Sequence, residues 1–302
     1  MPTILAIPFR REYPSFPRPL EVEVGRGGGR LSEADIEIGD HPRADLPGQA
    51  CDQLGNQMDL GAGQILVLGF LAGVFIAFGS IAFLVVMAVP EGAVPFGILQ
   101  AAAGLAFSGG LLLVIVAGAE LFTGNTLMLG RWYAGQSPLS AILKAWAPAW
   151  IGNLAGSIFV VALFIAAGGH EAGEGLLASA ALDTGGEKTA KGAGAIFASG
   201  ILANMLVCLA VWMTFAARTV QGKIIALVPP IATFVAAGLE HSVANMSLIP
   251  MGLAMVWLGE PGADPALTMG GLLVNLLWST LGNIVGGGII AAAYWFSYDR
   301  EA

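Results

Sequence analysis

Residues 233–246 read TFVAAGLEHSVANM, and their reading decides the fold. The stretch lies inside an apolar span long enough to cross a bilayer, yet it carries Glu240, His241 and Asn245 at mid-span. An ionisable side chain in hydrocarbon costs roughly 2.5–3.5 kcal/mol on insertion scales, so it faces a bundle interior or a water-filled path. Gly238 and Ser242 bracket the Glu-His pair, which predicts a helix interrupted there. Residues 117–129, AGAELFTGNTLML, copy the pattern with Glu120 and Asn125. Glu-x4-Asn thus occurs twice. Polar, Gly-flanked interruptions in corresponding places of two halves point to a transport site.

Composition agrees with a polytopic membrane protein. The chain is 56% hydrophobic and only 11% charged, where a soluble domain carries about a quarter charged residues. Mean hydropathy is +0.76. The 43 glycines fit transmembrane helices that approach closely through small residues. A net charge of −8 says little about partners, because 16 of the 34 Asp, Glu, Lys and Arg residues lie within residues 1–62; nucleic acid is not an expected partner. Of the two cysteines, Cys51 lies in that extension and Cys208 in an apolar span, so neither a disulfide framework nor a metal site is expected. No cofactor is expected either.

Residues 1–62 hold five prolines between Pro14 and Pro47 and the run 27–29 of glycines, without a signal-peptide core. They read as a largely disordered cytosolic extension, with strand character in PLEVEV (19–24) and a short interfacial helix near 48–62. Residues 63–302 form the transport domain. Six spans are predicted over about 65–89, 94–118, 142–167, 193–217, 223–255 and 267–296, with 168–192 a polar loop outside the bilayer. Gly-Asn-x-x-Gly in span three (152–156) recurs in span six (282–286). Spans three and six match, as do two and five. Halves of three spans each must be inserted in opposite orientations. Arg131, Lys144, Arg218, Lys223 and Arg300 fall on one side and Lys188 and Lys191 on the other, which predicts cytosolic N- and C-termini.

Five motifs in order, AFSGGLLLVIVAGAELFTGNTLML, GNLAG, SGILANMLVCLAVWM, GLEHSVANM and GNIVGG, resemble the formate/nitrite transporter family over about 64–296. That family also includes hydrosulfide and lactate transporters. The resemblance implies an all-α, six-helix, aquaporin-like inverted repeat with broken second and fifth helices, assembled in the cell membrane as a homopentamer with one pore per protomer. True aquaporins are disfavoured, since no Asn-Pro-Ala occurs. The substrate implied is a small monovalent anion or its conjugate weak acid. His241 is implied to assist its protonation between two apolar constrictions, because a neutral acid crosses an apolar passage more readily than its anion.

The same resemblance places Thr123 beside His241; a helix N-cap is the alternative for Thr123. Phe107, Leu111, Leu121, Phe122, Asn204, Val207 and Phe234 are implied to line the pore, and Lys188 a vestibule that concentrates anions. Glu120, Asn125, Glu240 and Asn245 are read as supports of the two breaks, the carboxylates accepting from freed backbone N–H groups. Gln64 stands where many members of the family carry a lysine. Two other classes stay open: a membrane enzyme built on Glu240 and His241, which lacks His-Glu-x-x-His and Gly-x-Ser-x-Gly motifs, and a non-conducting sensor.

Overall fold

The computed structural model describes residues 41–42 and 45–298, and these form helices and connecting turns with no strand among them. PLEVEV and most of the expected extension lie outside the described residues. Five helices are long and apolar enough to cross a membrane: α2 (Ala62–Met87), α3 (Phe96–Ala117), α6 (Leu139–Ala166), α8 (Ala193–Ala216) and α11 (Met269–Tyr298). Two shorter apolar helices, α9 (Val220–Ala236) and α10 (Ser242–Leu258), follow one another with five residues between them. The protein is a multi-pass membrane protein. Large apolar side chains such as Val67, Phe78, Val85, Leu105, Ile151 and Leu163 point outward, as a surface in contact with lipid requires.

What lets the helices pack is the absence of side chains at their crossings. α2 packs on α6, and α8 on α11. At Gly152 an added Cβ would lie 2.5 Å from the Leu66 carbonyl oxygen, and at Gly156 it would overlap the Phe70 carbonyl. The second crossing repeats the first: Gly282 sits against the Phe197 carbonyl and Gly286 against that of Ile201. Such backbone approach replaces the hydrophobic drive that lipid does not supply between helices.

Both α3 and α9 stop at a glycine with positive φ, Gly118 (75°) and Gly238 (63°). Ala119 N–H then donates to Val114 O (2.9 Å) and Leu239 N–H to Phe234 O (3.1 Å), the six-to-one bond that closes a helix C-terminus. Only glycine takes that left-handed turn without a Cβ penalty. After each turn the chain runs extended through Leu121 (φ −98°, ψ 117°) or His241 (φ −111°, ψ 115°) before helix resumes as α4 (Phe122–Asn125) or α10. α4 continues through a 3₁₀ turn (Thr126–Met128) into α5 (Leu129–Tyr133).

Two segments differ from the sequence-based expectation. Residues expected as a polar loop contain α7 (Leu176–Ala190), which packs on α10. Its Leu177, Ala178, Ala181 and Leu182 recur at helical spacing and are buried, a pattern hidden by the surrounding glycines and charges. At the other end, the short helix expected near 48–62 is present as α1 (Leu46–Met58), and what differs is that it buries Leu46, Ala50, Cys51 and Leu54. Gln64 accepts the Gly61 N–H at the start of α2 through Oε1 (3.0 Å).

Candidate functional site

The two breaks free backbone polar groups inside an apolar helix bundle, and side chains satisfy them. Asn153 on α6 does this for the first. Its Oδ1 accepts Phe122 N–H (2.9 Å), and its Nδ2 donates to Gly69 O (2.8 Å) and Glu120 O (2.9 Å). Asn283 on α11 repeats the arrangement. Oδ1 accepts Ser242 N–H (2.8 Å) and Nδ2 donates to Gly200 O (2.8 Å) and Glu240 O (3.0 Å). Gly-Asn-x-x-Gly is therefore both a packing motif and the anchor of each break. The asparagines escaped notice because their glycine neighbours suggested packing alone; the available signal was an amide at mid-span, repeated once per half.

Glu120 and Glu240 act differently from expectation. Their carboxylates accept from side chains and not from freed backbone N–H groups, which the asparagines already hold. Glu120 accepts from Asn125 Nδ2 (2.8 Å). Glu240 accepts from Asn245 Nδ2 (2.6 Å), Asn275 Nδ2 (3.1 Å), Lys191 Nζ (2.6 Å) and Lys188 Nζ (3.4 Å). The Glu240 carboxylate is thus fully engaged on the lysine side, and His241 takes other partners, so the two do not form an acid–base dyad. Asn275 and Lys191 were not singled out in the sequence.

His241 occupies the N-cap of α10, its Nδ1 accepting the Ala244 N–H (3.1 Å). A ring with one proton must then carry it on Nε2, which lies 2.8 Å from Thr123 Oγ1. Nε2–H donates to that oxygen and leaves the threonine O–H free to donate elsewhere. Thr123 is also a candidate N-cap for the turn that begins at Thr126, but Asn125 occupies that position, so the histidine contact is the role its hydroxyl takes. The pair joins residues 118 apart in the chain and is buried.

A cavity approaches the pair from each side. On the α7 side, about 160 Å³ is lined by Phe107, Phe234, Asp183, Glu187, Lys188 and Lys191, among others. On the α1 side, about 210 Å³ is lined by Leu111, Leu121, Gln53, Gln57, Thr214 and Lys223, among others. Phe107 and Phe234 meet edge to face at 5.8 Å between ring centres, and Phe234 lies 5.5 Å from the His241 ring. Phe107 and Leu111 are one turn apart on α3, about 6 Å of rise, yet they belong to opposite cavities. Thr123 and His241 line neither cavity and sit beside that apolar turn.

Three other expected pore residues, like Thr123 and His241, line neither cavity. The Phe122 ring packs edge-on against Trp146 (5.7 Å). Asn204 is buried with Nδ2 donating to Thr126 Oγ1 (2.9 Å), Asn283 O (2.6 Å) and Thr123 O (3.2 Å). Val207 is buried in α8. None of the three reaches either cavity. Lys188 does line the α7-side cavity, but with its charge against Glu240. Among the described residues no group of His, Cys, Asp and Glu side chains could hold a metal ion.

A model of the formate/nitrite transporter family matches residues 48–296. The chain belongs to that family. It is 35% identical over 246 residues to the formate channel FocA of Escherichia coli K12, covering 78% of this chain and 86% of FocA. It is 38% identical over 198 residues to the nitrite transporter NirC of the same organism, covering 64% of this chain and 70% of NirC. Among solved structures, a pentameric formate channel with formate bound aligns at a TM-score of 0.72 and 34% identity, covering 79% of this chain and 98% of that one. The family match begins inside α1.

Proposed function

We propose that the chain is one protomer of a homopentameric channel or transporter for a small monovalent anion or its conjugate weak acid, in the class of formate, nitrite, hydrosulfide and short monocarboxylates. In this reading α3 with α4 and α9 with α10 are the two interrupted spans of a six-span protomer, and the α1 end faces the cytosol. The observation that carries it is the Thr123–His241 hydrogen bond, set between two cavities and beside the Phe107–Phe234 and Leu111–Leu121 surfaces. Family membership supports it, as do the substrates and pentameric assembly named for the relatives.

The geometry suits an anion that sheds water stepwise. Leaving a cavity, it loses hydration at an apolar surface, which favours the neutral acid over the charged form. Thr123 O–H, oriented by Nε2–H of His241, offers a donor at that point. Full proton transfer demands more. A ring with two protons places N–H at Nδ1, where Ala244 N–H now donates. Protonation of the substrate by His241 therefore requires the cap to loosen while the ring carries its second proton.

His241→Asn and His241→Phe test this in liposomes with internal and external pH clamped separately and formate, nitrite and acetate supplied in turn. The Asn variant retains a donor but does not titrate near neutral pH, so it should pass anions without the pH dependence of the natural protein. The Phe variant should be blocked. Natural pH dependence in the Asn variant would refute the proton role, and an absence of flux in the unsubstituted protein would refute transport.

A further inference from the structure

The two mouths differ in a way the duplicated fold does not require. At the α7-side cavity both lysines are committed: Lys191 Nζ is 2.6 Å and Lys188 Nζ 3.4 Å from the one Glu240 carboxylate. Asp183 and Glu187 line the same cavity. Formal charges there, with Glu240 behind the wall, are three negative against two positive. At the α1-side cavity Lys223 is the one charged side chain in the lining. No hydrogen bond or ion pair of its ammonium occurs among the described residues. Glu120 lies behind that wall, with its carboxylate turned to Asn125. The rest of the α1-side lining is apolar or neutral, and Gln57 brings to it a buried Oε1 without a partner. Half a turn of that amide would present N–H groups instead.

We infer that Lys223 is the anion-capturing group of the α1-side mouth, and that the α7-side mouth has no equivalent. This rests on the transport reading above. An unpaired ammonium in a cavity with low-dielectric walls raises the local concentration of a small anion and speeds its entry. Lysines already neutralised by a buried carboxylate do this weakly. Lys223 holds a mobile point charge on a flexible stem, suited to passing an anion inward without trapping it. Lys223 supplies this charge from α9. The consequence is directional. Half-saturation for an anion arriving from the α1 side depends on residue 223, and half-saturation from the α7 side does not.

The test uses formate as probe, in right-side-out and everted membrane vesicles from cells without formate channels of their own, with the full-length protein. Lys223→Gln should raise half-saturation from the α1 side about threefold, the effect of one charge at roughly 7 Å in water. Lys223→Glu should raise it about tenfold, and Lys223→Arg should restore the natural value. The difference should shrink at 1 M salt, where the screening length is about 3 Å. Thermal stability should be unchanged, since the side chain has no bond to lose among the described residues, and a variant that assembles normally isolates the charge effect. Equal half-saturation for Gln, Glu and the natural lysine, or an equal change from both sides, would overturn the inference while leaving transport intact. Absence of formate, nitrite and acetate flux in the unsubstituted protein would overturn both.

Discussion

Replacing Asn283 by leucine, close to it in size, removes three hydrogen bonds and little volume. The groups left behind are Ser242 N–H, Gly200 O and Glu240 O, previously held at 2.8, 2.8 and 3.0 Å. All three border a site where Asn283, Ser242 and Glu240 are inaccessible to solvent. A buried group left without a partner costs about 1–3 kcal/mol. Allowing for partial relaxation, the variant should lose about 3–6 kcal/mol. Asn153→Leu strips an equivalent set, Phe122 N–H, Gly69 O and Glu120 O, and should cost a similar amount. Reversible unfolding in mixed detergent micelles measures the loss, and hydrogen exchange at the Ser242 amide locates it. A loss below about 1 kcal/mol with that amide still protected would show that the asparagine does not hold the break. An unequal pair would show that the two breaks are not held alike.

Gly156→Ala should destabilise the protein by about 1–3 kcal/mol, because the added methyl collides with the Phe70 backbone on α2. Gly97→Ala, where nothing lies within 4 Å, should be neutral or slightly stabilising in the same unfolding assay. Phe107→Ala and Phe234→Ala, each removing half of the edge-to-face pair, should let larger anions such as lactate leak through in liposome flux, with selectivity falling more than maximal formate flux; unchanged selectivity in both would make them packing residues.

The five membrane-length helices were legible because length and apolarity alone fix them, and the ends of α3 and α9 because a glycine shortly before a carboxylate is conspicuous in hydrocarbon. His241 and Thr123 were legible through resemblance; their 2.8 Å contact brings together chain positions that spacing cannot relate. The proton's location on the ring was not legible, since it follows from Ala244 N–H reaching Nδ1. Neither were the two lysines on Glu240, for pairing depends on α7 folding back toward the second break. Phe122 illustrates the limit most plainly. Sequence neighbours Leu121 and Phe122 read alike as apolar loop residues, but extended backbone at 121 sends them apart, one to the α1-side cavity and one to Trp146.

Superposing the halves by their glutamates pairs Gly118 with Gly238, Leu121 with His241, Phe122 with Ser242 and Asn125 with Asn245. The backbone at Leu121 and His241 differs by 13° in φ and 2° in ψ (−98° against −111°, 117° against 115°), so the scaffold offers the same position twice. The next residue in each half is tied through its N–H to the asparagine of Gly-Asn-x-x-Gly. What differs is the side chain that this shared geometry displays. In the first half a leucine faces the α1-side cavity; in the second a histidine turns back to cap its own helix and reaches Thr123, two residues after that leucine. A polar pair beside the apolar Phe234 ring thus needs no new architecture. Duplication supplies two equivalent breaks, one keeps an apolar side chain, and the other carries the imidazole whose orientation the helix end already determines.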